Sequence, residues 1–109
     1  MRRARIGALR HRLLLELPVR TPTEAGAAEE TWVEVARVFA SMTPRAGHEP
    51  FHAHAVHGEQ LIDIRFRYRP GITTDMRLRL GDRTFEILSA ADADERRRWL
   101  ICTTRETTR

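Results

Sequence analysis

The segment Gln60-Leu61-Ile62-Asp63-Ile64-Arg65-Phe66-Arg67-Tyr68-Arg69-Pro70-Gly71 decides the fold class. Ile62, Ile64, Phe66 and Tyr68 alternate with Asp63, Arg65, Arg67 and Arg69, the period of a strand with one buried and one solvated face. Pro70-Gly71 then supplies a turn.

The same period recurs on both sides of it. Downstream, Met76, Leu78 and Leu80 alternate with Arg77 and Arg79, Gly81-Asp82 makes a tight connection, and Arg83 to Ser89 runs back as a hairpin partner. Asp92 to Arg98 reads as a charged loop or a single helical turn, and Trp99 to Thr104 as a last strand. Upstream, His11, Leu13, Leu15 and Leu17 alternate with Arg10, Arg12, Leu14 and Glu16 in a half-buried strand expected to stop at Pro18. Thr21 to Glu30, with Pro22 and Gly26, reads as an exposed loop. Trp32 to Met42 places Val33, Val35, Arg37 and Phe39 on one side and Trp32, Glu34, Ala36, Val38 and Ala40 on the other. Apolar residues on both faces predict a strand covered by the protein core on one side and by a neighbour on the other.

Thr43-Pro44-Arg45-Ala46-Gly47 breaks that strand, and His48-Glu49-Pro50 then opens a short helix to about Val56, with Gly58 placed to end it. About six short strands with regularly spaced turns and one inserted helix predict a mainly β fold, a small antiparallel barrel or sandwich. One domain over residues 1–109 is expected, with loose tails at about 1–5 and 105–109.

Composition narrows the function. The 109 residues hold 19 Lys plus Arg against 15 Asp plus Glu, a formal charge of +4, and every one of the 19 is Arg. At 41% hydrophobic and 31% charged residues, the chain is too apolar for disorder and too polar for a membrane protein. Arg10, His11, Arg12 and Glu16 interrupt any apolar segment of a signal peptide, so cytoplasmic synthesis is expected. A single Cys102 permits no intrachain disulfide.

Catalysis lacks a candidate. His48, His52, His54 and His57, with Glu49 and Glu59 nearby, are dense enough to suggest Zn or Ni, yet nothing completes a closed site. No metal or other cofactor is expected. Cys102 reads as a buried, inert thiol. Ser41 and Ser89 are the only serines and neither lies in a nucleophile elbow, while no Gly-rich phosphate loop occurs. Asp92, Asp94 and Glu95 are expected to pair with Arg96, Arg97 and Arg98. The chemistry that remains lies in two arginine stripes, Arg65, Arg67 and Arg69 on one strand and Arg77 and Arg79 on another, which suit phosphate or acidic partners. One function they allow is a free-standing β-barrel that binds RNA or single-stranded DNA.

Ile6-Gly7-Ala8-Leu9-Arg10-His11-Arg12, Trp32 before Val35-Ala36, Gly47-His48-Glu49, Arg67-Tyr68-Arg69-Pro70-Gly71-Ile72, Met76-Arg77 and Arg83-Thr84-Phe85-Glu86-Ile87 together resemble the head-tail joining proteins of long-tailed bacteriophages. Gene transfer agents carry similar proteins. The resemblance implies a small β-barrel with one short helix and no enzymatic activity, forming a ring of roughly six or twelve copies at the neck of the particle. As an adaptor or stopper, such a ring lies below the portal or another adaptor and above the tail terminator or tail tube protein. It continues or closes the channel of packaged double-stranded DNA and touches that DNA without sequence preference. The resemblance also implies that Thr43 to Gly58, with Arg45, His48, Glu49, His52, His54 and His57, is the channel loop. Arg65, Arg67, Arg69, Arg77 and Arg79 are then candidates for ring or DNA contacts.

Overall fold

The computed structural model describes residues 9–45 and 60–107. Six strands occur there in chain order: β1 (His11–Pro22), β2 (Ala28–Pro44), β3 (Gln60–Arg67), β4 (Arg77–Leu80), β5 (Arg83–Asp92) and β6 (Trp99–Thr107). Every pairing is antiparallel, and β1 bonds to both β2 and β4, so the order β1-β2-β3-β6-β5-β4 closes into a barrel. Closure leaves no free edge along the paired segments. Of the two architectures open to the sequence, this selects the barrel. The expected helix, His48 to Val56, lies outside the described residues, and no helix occurs among those described.

Period-two burial builds the core. Leu13, Leu15, Ile64, Phe66, Leu78, Phe85 and Cys102 are fully buried, and Ile62, Ile87, Val38, Ala40, Met76 and Leu100 complete the cluster. Tyr68 packs against it from beyond the end of β3, half-buried. Thr104 is the polar member of the interior, and its hydroxyl donates to the Ile62 carbonyl at 2.8 Å, as a buried donor must.

Several boundaries differ from the sequence reading. Pro18 does not stop β1. The β4 ladder covers only Leu14 to Glu16 of β1, so past Glu16 a missing N–H on that side costs nothing. Thr21 to Glu30 is not an open loop but the end of a long hairpin. Its strands stay paired out to Pro22 and Ala28, and Gly26, at φ 83°, donates to the Thr23 carbonyl at 3.0 Å to close it. This two-stranded arm runs past the other four strands, and the radius of gyration is 15.4 Å against about 13 Å for a compact chain of this length.

The two faces of β2 also differ from expectation. Leu15 pairs with Ala36 but Glu16 pairs with Glu34, so Val35 is an extra residue and the alternation changes phase there. Trp32 and Glu34 therefore share the outer face with Arg37 and Phe39, while Val33 continues the inner face of Ala36, Val38 and Ala40. A second bulge, at Leu88 in β5, separates the Ile87–Thr104 and Ser89–Thr103 pairs. Residues 105–107, expected as tail, extend β6 because Arg105 and Glu106 pair across to β5. Residues 93–98 form a bent loop and not a helical turn. Glu95 and Arg97 both have φ 59°, held as Asp94 accepts from the Arg96 N–H at 3.1 Å and Asp92 from the Arg97 N–H at 2.8 Å.

Candidate interaction surface

The arginine stripes lie on opposite walls. In the closed six-strand order, β3 and β4 are three places apart in either direction, which is diametric. Arg65 and Arg67 project outward from β3, and Arg69 follows in the connection to β4. Arg77 and Arg79 project outward from β4, and a carboxylate already engages both. Arg77 Nε donates to Glu16 Oε1 at 2.7 Å, and Arg79 Nε lies 3.5 Å from Glu16 Oε2, too long for a good hydrogen bond. The Glu16 side chain is 8% exposed, and the Arg77 guanidinium sits 3.9 Å from the centroid of the Trp32 ring. Arg77 and Trp32 of this cluster line an open groove of about 1080 Å³ between the arm and the β4–β5 hairpin, together with Arg20, Glu30, Asp75, Arg83, Glu86 and Glu106. Arg83 donates to both Glu106 oxygens, at 2.7 and 2.9 Å. That hydrogen bond holds the Glu106 carboxyl below its usual range and raises the Arg83 guanidinium.

The β2–β3–β6 wall is different. Arg65, Arg67 and Arg69 have no carboxylate partner among the described residues, and Arg67 instead stands 5.5 Å from the Trp99 ring centroid. Beside them Phe39 is 55% exposed, with Arg12 at 5.4 Å from its ring. A cleft of about 490 Å³ is bounded by Leu9, Arg37, Val38, Phe39, Arg67, Tyr68 and Arg69. A second, of about 430 Å³, shares Arg67 and Tyr68 and adds Arg97, Arg98 and Trp99. The Tyr68 N–H donates to the Arg98 carbonyl at 3.0 Å, tying the two connections together. Arg98 is paired with Asp94 at 2.7 Å, as the sequence suggested, and this bond lowers the Asp94 carboxyl.

Among the residues expected to form a channel loop, Arg45 is described. Its backbone N–H donates to the Leu61 carbonyl at 3.0 Å, and its Nε lies 3.1 Å from Asp63. His48, Glu49, His52, His54 and His57 lie outside the described residues. Arg45 and Arg67 stand at opposite ends of β3, because Arg45 bonds beside Leu61 while Arg67 pairs with Trp99. Among the described residues no group of three His, Cys, Asp or Glu side chains is arranged to hold a metal. Cys102 is fully buried, and burial pushes its thiol up to about 12. Sequence reasoning missed the Glu16–Arg77–Trp32 cluster because the bulge at Val35, which turns Trp32 outward, has no signature in residue type.

The family model for the phage head completion protein matches residues 4–107. The chain belongs to the phage head completion protein family. Two solved structures carry the same fold. One is a chain of the virion of a native gene transfer agent particle, with a TM-score of 0.66 and 27% identity over 90% of this chain and 94% of that one. The other is the solution structure of protein SF1141 from Shigella flexneri 2a, with a TM-score of 0.68 and 25% identity over 94% of this chain and 96% of that one. No curated protein matches the chain. Within a head completion protein, the aromatic and arginine-rich β2–β3–β6 wall is the surface to explain.

Proposed function

We propose that this head completion protein is a structural, non-enzymatic component of a phage or gene-transfer-agent particle that forms a ring at the neck, between the capsid portal complex and the tail. It acts there as an adaptor or stopper, continuing or closing the DNA channel and offering the tail a docking face. Family membership over residues 4–107 and the likeness to a gene transfer agent virion chain support the setting. The observation that carries the reading is the β2–β3–β6 wall, where exposed Phe39 adjoins Arg67 and Arg69, which have no carboxylate partner among the described residues. Aromatic residues and Arg are the types enriched where proteins meet, and one heterologous contact repeated head to tail closes a ring.

In this role the protein touches copies of itself, a portal or adaptor protein above and a tail terminator or tube protein below. It meets the packaged double-stranded DNA through phosphates alone. Residues 43–58 form the channel segment. A free-standing nucleic-acid module is disfavoured by the strand order, because both stripes would have to meet one strand while standing on opposite walls. Electron cryomicroscopy of purified particles, with mass spectrometry of the same preparation, tests the proposal. A ring of this fold at the neck is the expected result. Absence from particles, together with salt-sensitive binding of nucleic acid by the monomer, overturns it.

A further inference from the structure

The hairpin arm and the cleft beside Phe39 are complementary. Between residues 17 and 34 the chain has one basic residue, Arg20, against four acidic ones, Glu24, Glu29, Glu30 and Glu34. The remainder therefore holds 18 basic and 11 acidic residues out of totals of 19 and 15. Arg20 is itself paired with Glu30 at 3.5 Å and Glu34 with Arg37 at the cleft edge at 3.4 Å, so the negative charge left over on the arm is that of Glu24 and Glu29, near its tip. On its inner face Val19 and Val33 are 39% and 49% exposed, because they continue the core-facing side of β1 and β2 past the point where the other strands end. The cleft bounded by Phe39, Arg37, Arg67 and Arg69 is the reverse. It has an apolar, aromatic floor and a basic rim, and among the described residues Arg67 and Arg69 have no carboxylate partner.

We infer that the acidic hairpin arm of one copy seats in the Phe39–Arg67–Arg69 cleft of the next copy. The inference rests on the ring reading above and gives it a contact. Val19 and Val33 cover Phe39, while the arm glutamates meet the rim arginines. Arm and cleft are different patches, so the contact is heterologous, and every copy donates one arm and receives one. Desolvating aromatic and aliphatic surface supplies most of the attraction. The charges select the partner and make assembly sensitive to salt.

Cross-linking the full chain tests it. Val33→Cys and Phe39→Cys replace exposed side chains, and Cys102 is buried with its thiol held protonated, so it stays silent toward a short bismaleimide. Within one copy the two positions are about 20 Å apart along the strand, out of reach. The chain carrying both substitutions is expected to cross-link into a ladder of multimers. An equal mixture of the two single variants is expected to stop at dimers, since each such copy has one reactive patch. Glu29→Arg with Glu30→Arg should abolish the ladder, and adding Arg67→Glu with Arg69→Glu in the same chain should restore it. The same reactions are run on purified particles, where the neighbours are in place. A ring at the neck without the ladder, or a ladder that the arm charges do not affect, overturns this inference and leaves the ring reading standing. Absence of the protein from particles overturns the ring reading itself.

Discussion

Glu16 and Arg77 face each other across the β1–β4 ladder, joined by a 2.7 Å hydrogen bond on the outside of the barrel. The carboxylate is nonetheless buried, because Arg77, Arg79 and Trp32 roof it. Removing one partner of a buried pair strands the other charge, at a cost of about 3–5 kcal/mol. Arg79 remains near Glu16, so Arg77→Ala is expected at the low end, about 3 kcal/mol, read from the urea midpoint at unchanged slope. Arg77→Lys should recover little of it, since an ammonium lacks the planar group that lies on Trp32. A variant as stable as the parent would mean that this cluster does not hold β1 to β4.

Cys102 sets an alkaline limit. Its thiol is pushed up to about 12 in the fold, while an unfolded thiol ionises near about pH 8.5. Between those values the unfolded chain has lost a proton that the folded chain keeps. Stability therefore falls as pH rises through that window, by up to about 1.4 kcal/mol per pH unit. Cys102→Ala is expected to lower stability at neutral pH through weaker packing, yet to flatten this alkaline decline. At about pH 8, just below the unfolded value, the native thiol should resist a disulfide reagent that labels it fully in urea.

Which features the sequence displayed depends on how local their cause is. The strict alternation of Ile62, Ile64 and Phe66 with Asp63, Arg65 and Arg67 gave β3 its correct faces, since a strand with unbroken pairing leaves nothing but period two to read. β2 was legible as a strand, but its faces were not. An extra residue at Val35 is decided by the register that β1 imposes, and Trp32 thereby moves to the outer side. Pro18 misled for a related reason, because its tolerance depends on β4 pairing no further along β1 than Glu16, a fact about a strand far away in the sequence. For the surface, residue type marked all five stripe arginines, but topology alone divided them between two walls and revealed Glu16 beneath one pair. The exposed valines of the arm were visible as residues and unintelligible as a surface until the hairpin was seen to outrun the barrel.

Glu106 governs the acid side. The hydrogen bond from Arg83 lowers its carboxyl in the fold, so its contribution is present above the unfolded value of 4.5 and is lost as pH falls through the lower, folded one. Arg83 is half-exposed, which keeps the contribution under about 1 kcal/mol. Glu106→Gln is expected to cost that amount at neutral pH and to bring the acid unfolding curves of variant and parent together once the pH has fallen through the lowered, folded value. Curves that stay parallel down the whole acid limb would show that the pair carries no pH dependence.

Arg65→Glu with Arg67→Glu separates folding from assembly. Neither guanidinium has a carboxylate partner among the described residues, and both project from the outer face of β3, so the core of Ile62, Ile64 and Phe66 is untouched. The double substitution removes the stacking of Arg67 on Trp99, worth about 0.5–1 kcal/mol at an exposed site. The purified variant is therefore expected to melt within about 8 °C of the parent. Reversing two charges on the β2–β3–β6 wall should still impair any partner that docks there. Particles made with the variant are expected to show fewer attached tails or more emptied heads by electron microscopy. A folded variant that yields filled, tailed particles at the parental level would remove this wall from the neck and leave the Arg77 side to be tested in its place.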